Sequence, residues 1–217
     1  MNQPEPPSGN ASDDERTTIH RLEAFSDIVI GFCIAEMGIN LLIPRTAAAL
    51  STITVGTVGF AFSFVLISIV WWIHHRLFKS LFVLNTVTVI MNFAMLGSLV
   101  LMVYFQQISL HLLVTGDEAS TAVRLWLVSY AVVYALVGGM LWIGLVTRWS
   151  SLPESDLRWG TSRAVLASVG TIIFLTYGAI FNTDVVNKSL IVVPFVVILA
   201  VRLTLPKIID RLITHHR

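Results

Sequence analysis

Charge is scarce in this sequence. Only 12% of its 217 residues are Asp, Glu, Lys or Arg, about half of the roughly 25% found in soluble domains. So few charges cannot clothe a water-facing surface, and lipid must cover much of the chain. Cysteine is nearly absent as well. Cys33 is the only one, which excludes an internal disulfide. Set in an apolar run, its thiol reads as a small apolar filler. The net charge is +1, and no basic cluster is interleaved with aromatics, so nucleic acid is not an expected partner. No Ser-His-Asp arrangement, nucleotide loop or metal-ligand spacing is present; the chain reads as no enzyme, with no cofactor and no metal. Residues 1–20 lack the apolar core of a secretory signal. Their Pro, Gly, Ser and acidic content predicts a disordered cytoplasmic tail.

What fills the sequence is apolar: 55% hydrophobic residues and a mean hydropathy of +0.80. A membrane-spanning helix needs about 20 mostly apolar residues. Six segments qualify: Phe25 to Ile43, Gly56 to Ile73, Thr86 to Ile108, Val123 to Val146, Ser162 to Phe181 and Leu190 to Leu205. The expectation is therefore an all-α, six-transmembrane-helix bundle over 21–206, with a short cytoplasmic tail at 207–217. Loops are expected at Pro44 to Val55, His74 to Asn85, Ser109 to Ala122, Thr147 to Thr161 and Asn182 to Ser189.

Basic residues orient the bundle. Arg16, Arg21, Arg76, Lys79, Arg148, Arg158, Arg163, Arg202, Lys207, Arg211 and Arg217 fall on one side, and Arg45, Arg124 and Lys188 on the other. The excess marks the cytoplasmic face and puts both termini there. Trp71, Trp72, Trp142, Trp149 and Trp159 lie near the same ends, where indoles favour the headgroup layer. The run Thr54 to Phe60 looks like part of a TVGYG carbonyl filter. It opens a span instead of following a pore helix, and it lacks the tyrosine and final glycine, so that reading fails.

Two polar clusters fall at the cytoplasmic ends of the first two spans. Arg21-Leu22-Glu23-Ala24-Phe25-Ser26-Asp27 begins the first, with Ser26 able to cap a helix start. Trp71-Trp72-Ile73-His74-His75-Arg76-Leu77-Phe78 ends the second. A carboxylate at the membrane boundary needs a partner, and Asp27 is expected to accept hydrogen bonds from a histidine or tryptophan of the second span. His74 and His75 point about 100° apart on a helix and cannot chelate a metal as a local pair. Asn85, Asn92, Gln106 and Gln107 read as polar glue between helices.

Arg-x-x-x-Phe-Ser-Asp at the first helix, Pro44 after it, and His-His-Arg-Leu-Phe ending the second resemble the transmembrane protein 175 family of potassium channels, in its prokaryotic, one-unit form. The resemblance extends over roughly residues 20 to 206. It implies a homotetramer in the cell membrane, with potassium as the permeant ion and the first helix of each copy lining a central pore. By position, Arg21, Phe25, Ser26 and Asp27 would brace that helix, with Trp71, His74 and His75 as partners. The apolar constriction would fall on Phe32. On a helix Phe32, Glu36, Ile39 and Ile43 share a face flanked by Ala35, and Asp27 lies about 140° from Phe32.

Glu36 departs from the family pattern, which is aliphatic here after a small hydroxyl residue; Ala35 stands in that hydroxyl position. Glu36 lies roughly 13 Å beyond Asp27 along the axis, near mid-membrane. An ionisable residue at that depth is a functional candidate. It could form a cation-concentrating ring in the pore. It could be a neutral acid hydrogen-bonded to Asn40 or Asn92. It could also be the titrating group of a proton-coupled transporter. The functional expectation is a passive cation channel, with that transporter and a non-conducting structural membrane protein as the alternatives.

Overall fold

The computed structural model describes residues 10–39, 50–115, 120–181 and 193–215, with side chains described within 13–39, 56–112, 120–181 and 193–205. Among the described residues six helices follow in order: α1 (Asn10–Ile39), α2 (Leu50–Ser80), α3 (Thr86–Thr115), α4 (Ser120–Arg148), α5 (Glu154–Ile180) and α6 (Val193–His215). There is no strand among the described residues, and the all-α expectation holds. Four stretches, Gly56–Ser80, Thr86–Leu112, Ser120–Arg148 and Glu154–Ile180, are long and apolar enough to cross a membrane. The apolar part of α6, Val193–Leu205, is shorter. The hydropathy of α1 is diluted by its acidic first half and by Arg21, Glu23, Asp27 and Glu36.

The helices run past the apolar segments that announce them. α1 already begins at Asn10, so residues 10–20, expected as disordered tail, are helical. The hydroxyls of Thr17 and Thr18 fold back onto the carbonyls of Asp13 and Asp14 at 2.8 and 2.9 Å, and Asp13 stands in the first turn, where a carboxylate meets the helix dipole. α2 continues to Ser80, which makes helix of the first half of an expected loop, and α6 continues to His215, through most of the expected tail. Hydropathy registers only the lipid-length part of a helix, whereas backbone hydrogen bonding continues beyond it. The stretch Thr54 to Phe60 is helical within α2. Its carbonyls serve the helix and are not available as a filter.

Lipid offers no hydrophobic drive between helices, so close packing must hold the bundle. α4 and α5 form its most closely packed pair, α3 lies on α4, α6 on α5, and α1 rests on α2 and α3. Small residues let backbones approach. A Cβ added at Gly138 would stand 2.9 Å from that of Ala167, and one at Gly144 would meet the Leu81 carbonyl oxygen. Away from these contacts, Tyr130 stacks on Phe174 at 5.0 Å and Phe195 of α6 meets Tyr130, Trp126 and Phe62 edge-on or tilted.

The ends are tied by specific groups. Asn85 Oδ1 accepts the Thr88 amide at 2.9 Å and the Asn85 amide donates to Thr88 Oγ1 at 3.2 Å, a reciprocal cap on α3. Asn85 is thus a cap and not interhelical glue. Arg148 at the end of α4 donates to the Ser80 carbonyl at the end of α2 (3.4 Å). Arg124 at the start of α4 donates to the Phe181 carbonyl just past α5 (2.5 Å). The start of α1 and the α2–α3 and α4–α5 connections therefore gather at one end of the bundle. Arg76, Arg148 and Arg158 belong to that end, and Arg124 to the opposite one.

Candidate functional site

Two faces of α1 have opposite fates. Ser26, Ile30, Cys33 and Met37 are buried against the bundle. Phe25, Ile28, Phe32 and Ile39 are exposed, Phe32 by 70% and Ile39 by 77%. Ala35 and Glu36 are exposed on the same side. Both sets recur at alternating three- and four-residue intervals, the spacing that keeps one stripe on one side of a helix. Ile43 and Asn40 lie outside the described residues.

The buried face ends in a polar network reaching three helices. His74 Nε2 is 2.8 Å from Asn92 Oδ1; Asn92 Nδ2 donates to Ser26 Oγ at 3.0 Å, and Ser26 Oγ donates to the Leu22 carbonyl at 2.8 Å. The chain has one consistent direction. An Asn amide oxygen accepts, so His74 must carry its proton on Nε2. Its other nitrogen, Nδ1, is then a bare acceptor, and the ring packs on Phe78 at 4.5 Å. Ser26, His74 and Asn92 are each fully buried, which makes a partnered network far better than lone polar groups.

A second pair of links lies beside it, between α1 and α2. Trp71 Nε1 donates to Asp27 Oδ1 at 2.8 Å, as expected of the carboxylate at this boundary. His75 Nδ1 lies 2.9 Å from Glu23 Oε1, and the His75 ring stacks on Trp71 at 5.8 Å. Further round, Arg76 lies over the Trp159 ring at 4.5 Å and 3.8 Å from Asp156 Oδ1, which joins α2 to α5. Phe25 contributes a ring contact with Phe93 of α3 at 5.7 Å.

The structure thus brings together Ser26, Asp27, Trp71, His74 and His75. Phe25 meets α3 from the rim, and Arg21 is exposed and stays outside the cluster. Ser26 is not a helix start, since α1 begins at Asn10; it is a mid-helix hydroxyl with an interhelical donor. Glu23 and Asn92 were missed as parts of the brace. Asn92, one of the partners considered for a neutral Glu36, is instead engaged by Ser26 and His74. Among the described residues no group of His, Cys, Asp and Glu could hold a metal. Chemically, the arrangement fixes a helix; it positions no reacting group.

The fold and site define a helical membrane protein whose first helix is pinned on one face and exposed on the other. Residues 21–102, from α1 to well inside α3, match the family described as "Endosomal/lysosomal potassium channel TMEM175", so the resemblance read from the sequence holds over that stretch. The chain also shares its fold with a solved structure, a point variant of the potassium channel MtTMEM175 in complex with a Nanobody-MBP fusion protein. The TM-score is 0.56 at 17% identity, over 90% of this chain and 93% of that one. No curated protein matches the chain.

Proposed function

We propose that this chain is one subunit of a passive potassium channel, a homotetramer in the cell membrane with six crossings per subunit and both termini in the cytoplasm. The observation that carries the proposal is the exposed face of α1, where Glu36 stands among Phe32, Ala35 and Ile39. Apolar side chains there would suit lipid, but an acid among them would be costly against acyl chains. A face carrying Phe32, Ala35, Glu36 and Ile39 is better served by three sister helices around an aqueous path. The match of residues 21–102 to a potassium channel family supports this reading.

In this arrangement Phe32 and Ile39 form two apolar rings with Glu36 between them. A cation crossing each ring sheds part of its water, and four carboxylates between the rings raise the local cation concentration. Apolar rings gate by dewetting, so a small rotation of α1 is enough to close the path. The hydrogen bonds at Ser26 and Asp27 lie on other sides of α1 and hold its orientation. No covalent chemistry is involved.

Reconstitution in liposomes with a potassium gradient and an ionophore-set voltage tests this. Flux without any proton gradient supports the channel. Strict dependence on a pH gradient would support a transporter titrating Glu36, and silence under both conditions a structural protein.

A further inference from the structure

Between α2, α5 and α6 lies a cavity of about 240 Å³, lined by Phe64, Val65, Ser68, Trp72, Arg163 and Arg202 among others. It is far larger than the ~10–15 Å³ that admits one water. Phe62 and Phe195 close α2 against α6 at 5.0 Å, and the cavity opens from there toward the end of the bundle where α2 finishes. Two arginines face one apolar space. Among the described residues neither meets a carboxylate; Asp156 serves Arg76 and Glu154 serves Arg158.

The level of the cavity is set by sequence. No Asp, Glu, Lys or Arg occurs from Ser51 to Ile73, from Ala164 to Phe181 or from Leu190 to Val201. Arg163 and Arg202 stand at the charged margin of two of these runs, and Trp72 at the margin of the third. All three helices change from apolar to charged beside the same cavity. This is the depth of phospholipid headgroups, where Trp also prefers to sit.

We infer that this cavity binds an anionic phospholipid, its phosphate held by Arg163 and Arg202 and its acyl chains lying along Phe64 and Val65 of α2. Arginine presents a planar fork of donors that matches two phosphate oxygens at once. Basic pockets between helices at the cytoplasmic margin are the usual form of headgroup sites. The leaflet assigned to the lipid rests on the orientation proposed above; binding itself does not, and it is read independently of conduction.

Native mass spectrometry of the full chain in detergent, titrated with phosphatidylglycerol or with phosphatidylcholine of the same acyl chains, tests this. The expected preference for phosphatidylglycerol is about 30-fold for two arginine contacts. Arg163→Gln with Arg202→Gln should cut it to about threefold or less. Ser68→Leu, which fills the cavity and leaves both charges, should weaken phosphatidylglycerol binding too. It carries the comparison if the arginine variant does not elute as a folded species. Excess inorganic phosphate should leave the bound lipid in place. Equal binding of the two lipids, a preference unchanged in the variants, or displacement by inorganic phosphate would each overturn the assignment.

Discussion

The indole nitrogen of Trp71 lies 2.8 Å from a carboxylate oxygen of Asp27, and one turn away His75 lies 2.9 Å from Glu23. The two pairs are rungs of one ladder between antiparallel helices: the residue numbers in each pair add to the same total. Those of Gly38 and Phe60 add to it as well, where a Cβ on the glycine would stand 3.7 Å from the ring. The α1–α2 register set by the polar rungs is therefore kept to the far end of α1.

Trp71→Phe keeps a ring over His75 and removes only the donor to Asp27. The expected cost is about 1–2 kcal/mol, the upper range for hydrogen bonds between membrane helices. Asp27→Asn keeps an acceptor oxygen and should cost less. Thermal unfolding in detergent, read by retention of the folded elution peak, measures both. A larger loss from Asp27→Asn would mean that the carboxylate's charge, and not this bond, fastens α1.

The Ser26–Asn92–His74 chain makes a sharper prediction because its members share partners. Asn92→Leu and His74→Leu should each cost roughly 1–3 kcal/mol, since each leaves a buried polar group unpaired. The double substitution should cost clearly less than the two losses added together. Additive losses would show that the two residues act separately.

Much of this was legible in advance, and the misses have physical reasons. The helices follow from apolar run length, and Asp27 had to find a donor because its depth demanded one. Glu23 was read only as a member of the polar cluster that begins the first span, with no partner assigned. Its position one turn before Asp27, facing a His one turn after Trp71, was the signal that could have identified it. Asn92 was expected as glue or as a partner for Glu36, because a lone amide inside an apolar helix does not say which neighbours it faces. Arg163 and Arg202 read only as basic residues of the cytoplasmic side; packing alone places them on one cavity.

Glycines on α4 and α3 should respond differently to the same change. In Gly144→Ala the new methyl meets the backbone carbonyl of Leu81, which cannot swing away as a side chain could. The expected loss is about 1–3 kcal/mol, as for other overpacked contacts. Gly97→Ala has nothing within 4 Å to meet, and should be neutral or gain up to about 1 kcal/mol of helix propensity. Parallel melting curves of the two variants decide it, and equal losses would contradict the close approach of Gly144 to the Leu81 carbonyl.

Glu36→Gln removes the charge from the exposed face of α1 and keeps its size. Single-channel recordings should show cation conductance several-fold lower, because the carboxylates no longer concentrate cations between the apolar rings. Phe32→Ala should raise conductance by widening the Phe32 ring. Unchanged conductance and an unchanged pH response in Glu36→Gln would remove this residue from the pathway.

Passive potassium permeation along α1 is tested most directly by potassium flux in liposomes with no pH gradient. Flux should follow the imposed potassium gradient, rise in Phe32→Ala and fall in Glu36→Gln. Flux that appears only when a proton gradient is supplied, or that ignores both substitutions, would contradict it.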